Sequence, residues 1–321
     1  MRDLIRTTAK GNPDLLALLG LLAVLLVAYQ HYDPSLLTPA SITILSAQFL
    51  PLILAAAGQT TVMLLGGIDL SLGAVLGLAM AVFATYEAHS AGGVATAAAL
   101  ALCVAVAAGA VNGTLVAYAG LPPIIVTLAA SFLWGGVTLV VLPQPGGSVP
   151  GGLVDAYNNG WNGIALPVVC VVAALVLWRL FRTTRHGLAL YAVGGNEHGA
   201  YASGLHTRGV KIGGYALSSV FTGLAGIGLA IQTGSADPTI GAPYTLNSIA
   251  AAVLGGISFF GGIGRMRGTV LGALVIGLLT NLLLFTGISP FYQLIVQGVV
   301  LIVALTLKTY LTRNEREGMS R

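Results

Sequence analysis

The sequence predicts an all-α polytopic membrane protein. We expect about ten transmembrane helices, N- and C-termini in the cytoplasm, and broken or re-entrant segments along the way. Three observations carry that fold class. Only 7% of the 321 residues are charged and 56% are hydrophobic, whereas a soluble domain carries roughly 25% charged residues. The mean hydropathy is +0.91. Apolar runs of spanning length recur from one end of the chain to the other. A soluble enzyme, a nucleic-acid-binding protein and a disordered regulator are thereby excluded.

A membrane-crossing helix needs about 20 mostly apolar residues to cover about 30 Å of hydrocarbon. Runs between polar or Pro/Gly breaks fall at approximately Leu15–Gln30, Ile42–Gly66, Leu70–Tyr86, Val94–Ala110 and Ile124–Leu142. Five more follow at Ile164–Phe181, Ile212–Gln232, Leu246–Phe259, Thr269–Phe285 and Phe291–Leu307. The first is long and is followed by no small-residue cleavage pattern, so it reads as a retained span rather than a signal peptide. The eighth is short, and Thr245 to Gly264 is expected to be irregular or partly re-entrant.

Charge gives an independent test. All 14 Lys and Arg lie at Arg2 to Lys10, Arg179 to Lys211, Arg265 to Arg267 and Lys308 to Arg321. Basic residues near span ends stay in the cytoplasm. With ten spans and an inner N-terminus, the inner connections fall near Gly67, near Ala119, at Arg182 to Lys211 and at Gly261 to Gly268. The outer ones are His31–Ser41, Glu87–Gly93, Pro143–Gly163, Thr233–Thr245 and Thr286–Pro290. None of the outer five holds a Lys or Arg, and four hold an acid: Asp33, Glu87, Asp155 and Asp237. Residues 1–321 thus read as one transmembrane domain with a cytoplasmic loop at about 182–211 and a long outer loop at about 143–163. In the outer loop Tyr157 and Trp161 read equally as interface anchors or as a docking surface.

The chemistry the sequence lacks is also informative. None of its three lysines follows a glycine-rich phosphate loop, so ATP hydrolysis by this route is not expected. HExxH, GxSxG and paired intramembrane carboxylates are missing too. Cys103 and Cys170 sit in apolar runs without metal-ligand spacing and read as small buried residues. No metal and no resident cofactor is expected. Asp69, in MLLGGIDLSLGAVLG, is the one acid within the spans; it reads as an N-cap opening a new helix or as a pathway residue.

Most of the 44 glycines read as close helix packing. The dense clusters at Gly255-Gly256 and Gly261 to Gly264 point instead to breaks, which membranes tolerate only inside protein or beside water. GGIDLSLGAVLG from Gly66 and GGIGRMRGTVLG from Gly261 agree at seven of twelve positions, through duplication or through shared turn geometry. Polar residues within the spans are Gln48, Gln59, Asn112, Thr127, Ser218, Asn247, Ser248 and Asn281. Each reads as an interhelical hydrogen bond or as a pathway contact, and as a set they suit a neutral polyhydroxylated solute.

Four ordered motifs carry a resemblance: GQTTVMLLGGIDLSLGAVLGL, VNGTLVAYAGLPPIIVTLA, HGLALYAVGGNEHGAYASGLHTRGVKI and YTLNSIAAAVLGGISFFGGIGRMRGTVLGAL. From about Gln48 to Ala304 the chain resembles the membrane permease subunits of bacterial ATP-binding-cassette importers for simple sugars. That resemblance implies a monosaccharide permease in the bacterial inner membrane, surrounded by lipid and paired with a second permease copy or homologue. A periplasmic sugar-binding protein would deliver the solute, and a separate cytoplasmic ABC ATPase would bind ATP and Mg. No nucleic acid is implied.

By the same match, Gly195, Asn196, Glu197, Ala200 and Gly204 are the ATPase-coupling residues. Locally, NEHGAYASG suits a short helix started by Asn196 and ended at Gly204. Asp69, Asn112, Thr127 and Asn247 are expected along the translocation pathway. The chain departs from the family pattern at His198, Gly199 and Tyr201, and at Arg265-Met266-Arg267. The alternatives are an ion-coupled secondary transporter and a related permease for nucleosides or amino acids.

Overall fold

A computed structural model describes residues 13–285, except 87 and 89, and scattered positions between 287 and 306. The described residues form twelve helices: α1 Pro13–Tyr32, α2 Pro39–Leu64, α3 Leu72–Thr85, α4 Ala91–Tyr118, α5 Pro123–Val141, α6 Gly151–Asn159, α7 Leu166–Phe181, α8 Arg185–Gly195, α9 Glu197–Ala202, α10 Thr207–Thr233, α11 Ala242–Leu254 and α12 Met266–Phe285. Their sheet content is two isolated bridges, Gly146 with Ala236 and Trp161 with Ile164.

Nine of the ten apolar runs coincide with helices. The tenth is described only at scattered positions, and both basic termini and Glu87 lie outside the described residues. Five helices, α2, α4, α5, α10 and α12, are long and apolar enough to cross a membrane. α7 and α8 form a sixth candidate bent by 79°, and α1, α3 and α11 are shorter apolar helices.

Local signals set the helix starts. Thr38 caps α2 by accepting from the Ser41 amide at 3.3 Å, and Ser90 caps α4 by accepting from Gly93 at 3.1 Å. Pro39 and Pro123 stand at the first turns of α2 and α5, where a missing amide costs nothing. The breaks follow the glycine clusters. Gly66 turns the chain at φ +79° between α2 and α3, and residues 255–265 are non-helical, so the irregular segment begins after α11 rather than at Thr245.

α10 is the hub and packs most extensively on α4, α2 and α3. Its seam with α4 is built of small residues: Ala97, Ala101, Ala105 and Ala108 are wholly buried, and a methyl added at Gly109 or Gly113 would collide with Ser219, Tyr215 or Ile212. Lipid supplies no hydrophobic drive between helices, so such close approach is what holds them together. A second apolar cluster joins α1, α2, α11 and α12.

The basic residues from Arg179 to Lys211 and at Arg265 and Arg267 lie at one end of the bundle. The Arg208 guanidinium there stacks 5.0 Å over the Tyr118 ring at the end of α4, and the Tyr191 hydroxyl donates to Gly264 O at 3.2 Å. At the opposite, acidic end, the Gly146–Ala236 bridge joins the 143–163 loop to the chain just before Asp237.

Two sequence expectations need correction. Tyr157 is neither an interface anchor nor a docking residue: it is 6% exposed and its phenol donates to Ala47 O at 3.2 Å. Trp161 remains exposed. Cys103 and Cys170 are exposed rather than buried, because in a membrane an apolar helix face need not point to the protein core.

Candidate functional site

The break between α2 and α3 gathers a cluster of buried polar side chains: Gln59, Asp69, Ser71, Asn112 and Thr127. Unwound backbone leaves amides and carbonyls without helical partners, and in a bilayer each must be satisfied by protein. The Gln59 carboxamide, in the orientation its bonds dictate, donates to Asp69 O at 3.0 Å and accepts from Asp69 N at 3.2 Å. Thr127 Oγ1 on α5 donates to Ile68 O and accepts from Leu70 N, both at 3.0 Å. Thr245 Oγ1 accepts from Gly73 N at 3.0 Å. Helices α2, α5 and the start of α11 therefore stitch the unwound segment in place.

The Asp69 carboxylate accepts from Ser71 N at 2.9 Å and from Ser71 Oγ at 2.6 Å. Asn112 Nδ2 donates to Ser71 Oγ at 2.8 Å, and Trp134 Nε1 donates to Asn112 Oδ1 at 3.2 Å. Asp69 is thus not the N-cap of α3. Ser71 occupies that position, and Asp69 closes a turn two residues earlier. The same Asp-x-Ser/Thr turn recurs at Asp33–Ser35 and Asp237–Thr239, a pattern readable in the sequence that would have placed Ser71.

Of the four expected pathway residues, the structure brings together Asp69, Asn112 and Thr127, and seals them: they are 2%, 0% and 0% exposed. Asn247 stands apart, half-buried on α11. Ser71, Trp134 and Thr245 complete the network and were missed: Ser71 has the local signal of the Asp-x-Ser turn, but nothing local marks partners 22 to 172 residues away.

The segment expected to couple lies beneath this break. Asn196 caps α9 as its sequence suggested, accepting from Gly199 N at 2.9 Å, and Gly204 takes the left-handed conformation at φ +84° just past its end. Ala200 is buried at the foot of α9. Glu197 is half-exposed and pairs with Lys211 of α10 at 2.6 Å.

At the end of α8, Gly194 and Gly195 meet both members of the repeated GGI sequence. Gly262 N donates to Leu64 O at 2.9 Å, and a methyl on Gly194 would collide with that carbonyl. A methyl on Gly261 would stand 2.5 Å from Gly194 O and 2.8 Å from Gly66 N. The two echoed turns are in contact, with α8 wedged against both.

Comparison with known proteins is decisive for the family. The family model described as "Branched-chain amino acid transport system / permease component" matches residues 41–305. The chain belongs to this permease family. It is 39% identical over 290 residues to the ribose import permease protein RbsC of Bacillus subtilis, covering 89% of this chain and 90% of that one. It is 34% identical to the D-allose transport system permease protein AlsC of Escherichia coli K12, covering 91% of each. It is 29% identical to the galactose/methyl galactoside import permease protein MglC of Salmonella typhimurium, covering 89% and 91%. No solved structure matches it significantly.

Two cavities of this permease hold polar walls. At the basic end, an open cavity of about 300 Å³ is lined by Gly66, Gly67, the 120–123 connection, Glu197, Lys211 and Tyr215 among others. At the acidic end, about 390 Å³ is lined by Tyr29, Asp33, Ser41, Gln48, Asn281 and Phe285 among others. There Asn281 Nδ2 donates to Gln48 Oε1 at 2.7 Å, and Tyr29 and Phe285 meet edge to face at 5.1 Å.

Proposed function

We propose that this chain is the membrane permease subunit of an ATP-driven monosaccharide importer of the bacterial inner membrane. It would span ten times with both termini in the cytoplasm and pair with a second copy or homologue. A periplasmic binding protein would deliver sugar, and a cytoplasmic ABC ATPase would bind ATP and Mg. The observation that carries this reading is the set of relatives at 34–41% identity over most of their length, all named for ribose or allose. Those names favour a sugar over the amino acid in the family's description. The separation of basic and acidic ends supports the orientation.

In this reading Gly195, Asn196, Glu197, Ala200 and Gly204 form the ATPase-coupling segment. Asp69, Asn112 and Thr127 serve the pathway as the rigid break that shapes it, and solute contact falls to polar groups that face open space. Those are Gln48 and Asn281 in the acidic-end cavity, with Asn247 on α11. An ion-coupled transporter would need its carboxylate to reach water, and Asp69 is sealed.

Purifying the tagged chain from its native cell in mild detergent tests the assignment. A stoichiometric ABC ATPase should accompany it, and the neighbouring binding protein should name the sugar. Failure to recover an ATPase even after cross-linking through residues 182–211 would overturn the reading and direct attention to ion-coupled uptake.

A further inference from the structure

The half-exposed Glu197 has the position of a residue that touches the ATPase, yet its carboxylate is already engaged within its own chain. Lys211 Nζ sits 2.6 Å from Glu197 Oε1, and the lysine is the more sheltered of the two, at 20% against 45% exposed. A pair this open to solvent adds little to folding stability. What it does is geometric. α9 is six residues long and joins α10 through Ser203 to His206, with Gly204 at φ +84° as the pivot. At its far end from Glu197, α9 is tied to this link by Leu205 N donating to Ala200 O at 3.0 Å. The ion pair ties the other end to α10 itself, so the helix is restrained at both ends.

Lys211 also has a direct line to the break. Lys211 and Tyr215 are four residues apart on α10 and share a face. Both line the basic-end cavity with Gly66 and Gly67. Tyr215 is 1% exposed, and its hydroxyl, which has no hydrogen-bond partner among the described residues, stands 3.0 Å from where a methyl on Gly67 would be. The face of α10 that receives the coupling segment is therefore the face that abuts the turn leading into Ile68, Asp69 and Ser71.

We propose that Lys211 is a positioning residue for energy coupling: its pair with Glu197 makes α9 and α10 move as one body, carrying a displacement of the coupling segment through Tyr215 to the Gly66–Ser71 break. The inference rests on the reading of the chain as an ATP-driven permease. Without the pair, a push on α9 is absorbed by rotation about Gly204, and the ATPase turns over without moving α10. Glu197 then acts inside this subunit rather than as a contact to the ATPase.

The test uses the complete importer, with its ATPase and binding protein, reconstituted in liposomes. Uptake per ATP hydrolysed and ATPase co-purification are measured for Glu197→Lys, Lys211→Glu and the double reversal. Each single reversal should lower uptake per ATP about fivefold or more, the lower end of ordinary coupling energies, with the ATPase still bound. The double reversal should restore it to within about twofold, the scatter of independent effects. Lys211→Arg should retain coupling and Lys211→Met should lose it at unchanged thermal stability, which a purely structural role would not produce.

Unchanged uptake per ATP in the single variants overturns the proposal. So does a double reversal as impaired as Glu197→Lys alone, or loss of the ATPase from Glu197→Lys but not from Lys211→Glu, since either would make Glu197 an ATPase contact. Absence of any ATPase with the unaltered chain would instead defeat the importer reading on which the proposal rests.

Discussion

The phenol of Tyr157 donates to the carbonyl of Ala47, the group that Pro51 leaves without a helical amide four residues on. α2 thus continues through its proline with no orphaned carbonyl, and the short outer helix α6 is pinned against it. Burial raises the Tyr157 phenol above the ordinary tyrosine value, in keeping with a phenol that stays protonated and donates.

Tyr157→Phe should therefore destabilise the protein by roughly 1–3 kcal/mol, the cost of an unsatisfied buried polar group. Pro51→Ala restores the helical amide, so the same tyrosine change should cost much less in that background. Thermal unfolding of the four proteins in detergent measures this coupling. Equal costs in both backgrounds would mean that the hydrogen bond is not what Tyr157 supplies.

The break between α2 and α3 makes a second prediction. Thr127→Val keeps shape while removing both bonds to the unwound backbone, and should cost roughly 1–3 kcal/mol. Asp69→Asn keeps an acceptor for Ser71 and should leave uptake largely intact, whereas Asp69→Leu should not fold stably. If Asp69→Asn abolishes uptake along with a proton dependence, ion coupling replaces the present reading.

The glycine junction predicts a contrast between two Gly→Ala changes. Gly194→Ala forces a methyl into the Leu64 carbonyl and Gly262, and should destabilise by roughly 1–3 kcal/mol through overpacking. Gly213, in α10, has open space around it, and Gly213→Ala should stabilise by about 0.5–1 kcal/mol through helix propensity. Melting temperatures in one detergent compare the pair directly; a tolerated Gly194→Ala would show that the two GGI turns are not held as described.

At the acidic-end cavity, Asn281→Leu should raise KM for sugar uptake while leaving uptake per ATP unchanged. That split separates a solute contact from a coupling residue. A normal KM with a lowered coupling ratio would remove Asn281 from the pathway.

Much of the site was legible in the sequence as a place but not as an arrangement. Asn196 and Gly204 delimit a helix because capping and the left-handed conformation are properties of the residues themselves. The glycine pairs at 66-67 and 261-262 mark turns for the same reason. The role of Ser71 was half-legible, through the Asp-x-Ser pattern. The role of Lys211 was not, because its partner is 14 residues away across a turn whose direction no local rule sets.

The sequence by itself determined that the chain lies in a membrane, where its apolar helices run, which end carries the basic residues and where the helices break. These depend on composition and on the intrinsic preferences of short stretches, which act before any two helices meet. Only the tertiary structure decided which polar residues are sealed and which face open space, which turns touch, and that Glu197 answers to Lys211. Outside water every backbone amide and carbonyl left without a helical partner must find one elsewhere in the protein, and that partner is chosen by how the helices pack: Thr127 for Ile68 and Leu70, Thr245 for Gly73 and Tyr157 for Ala47.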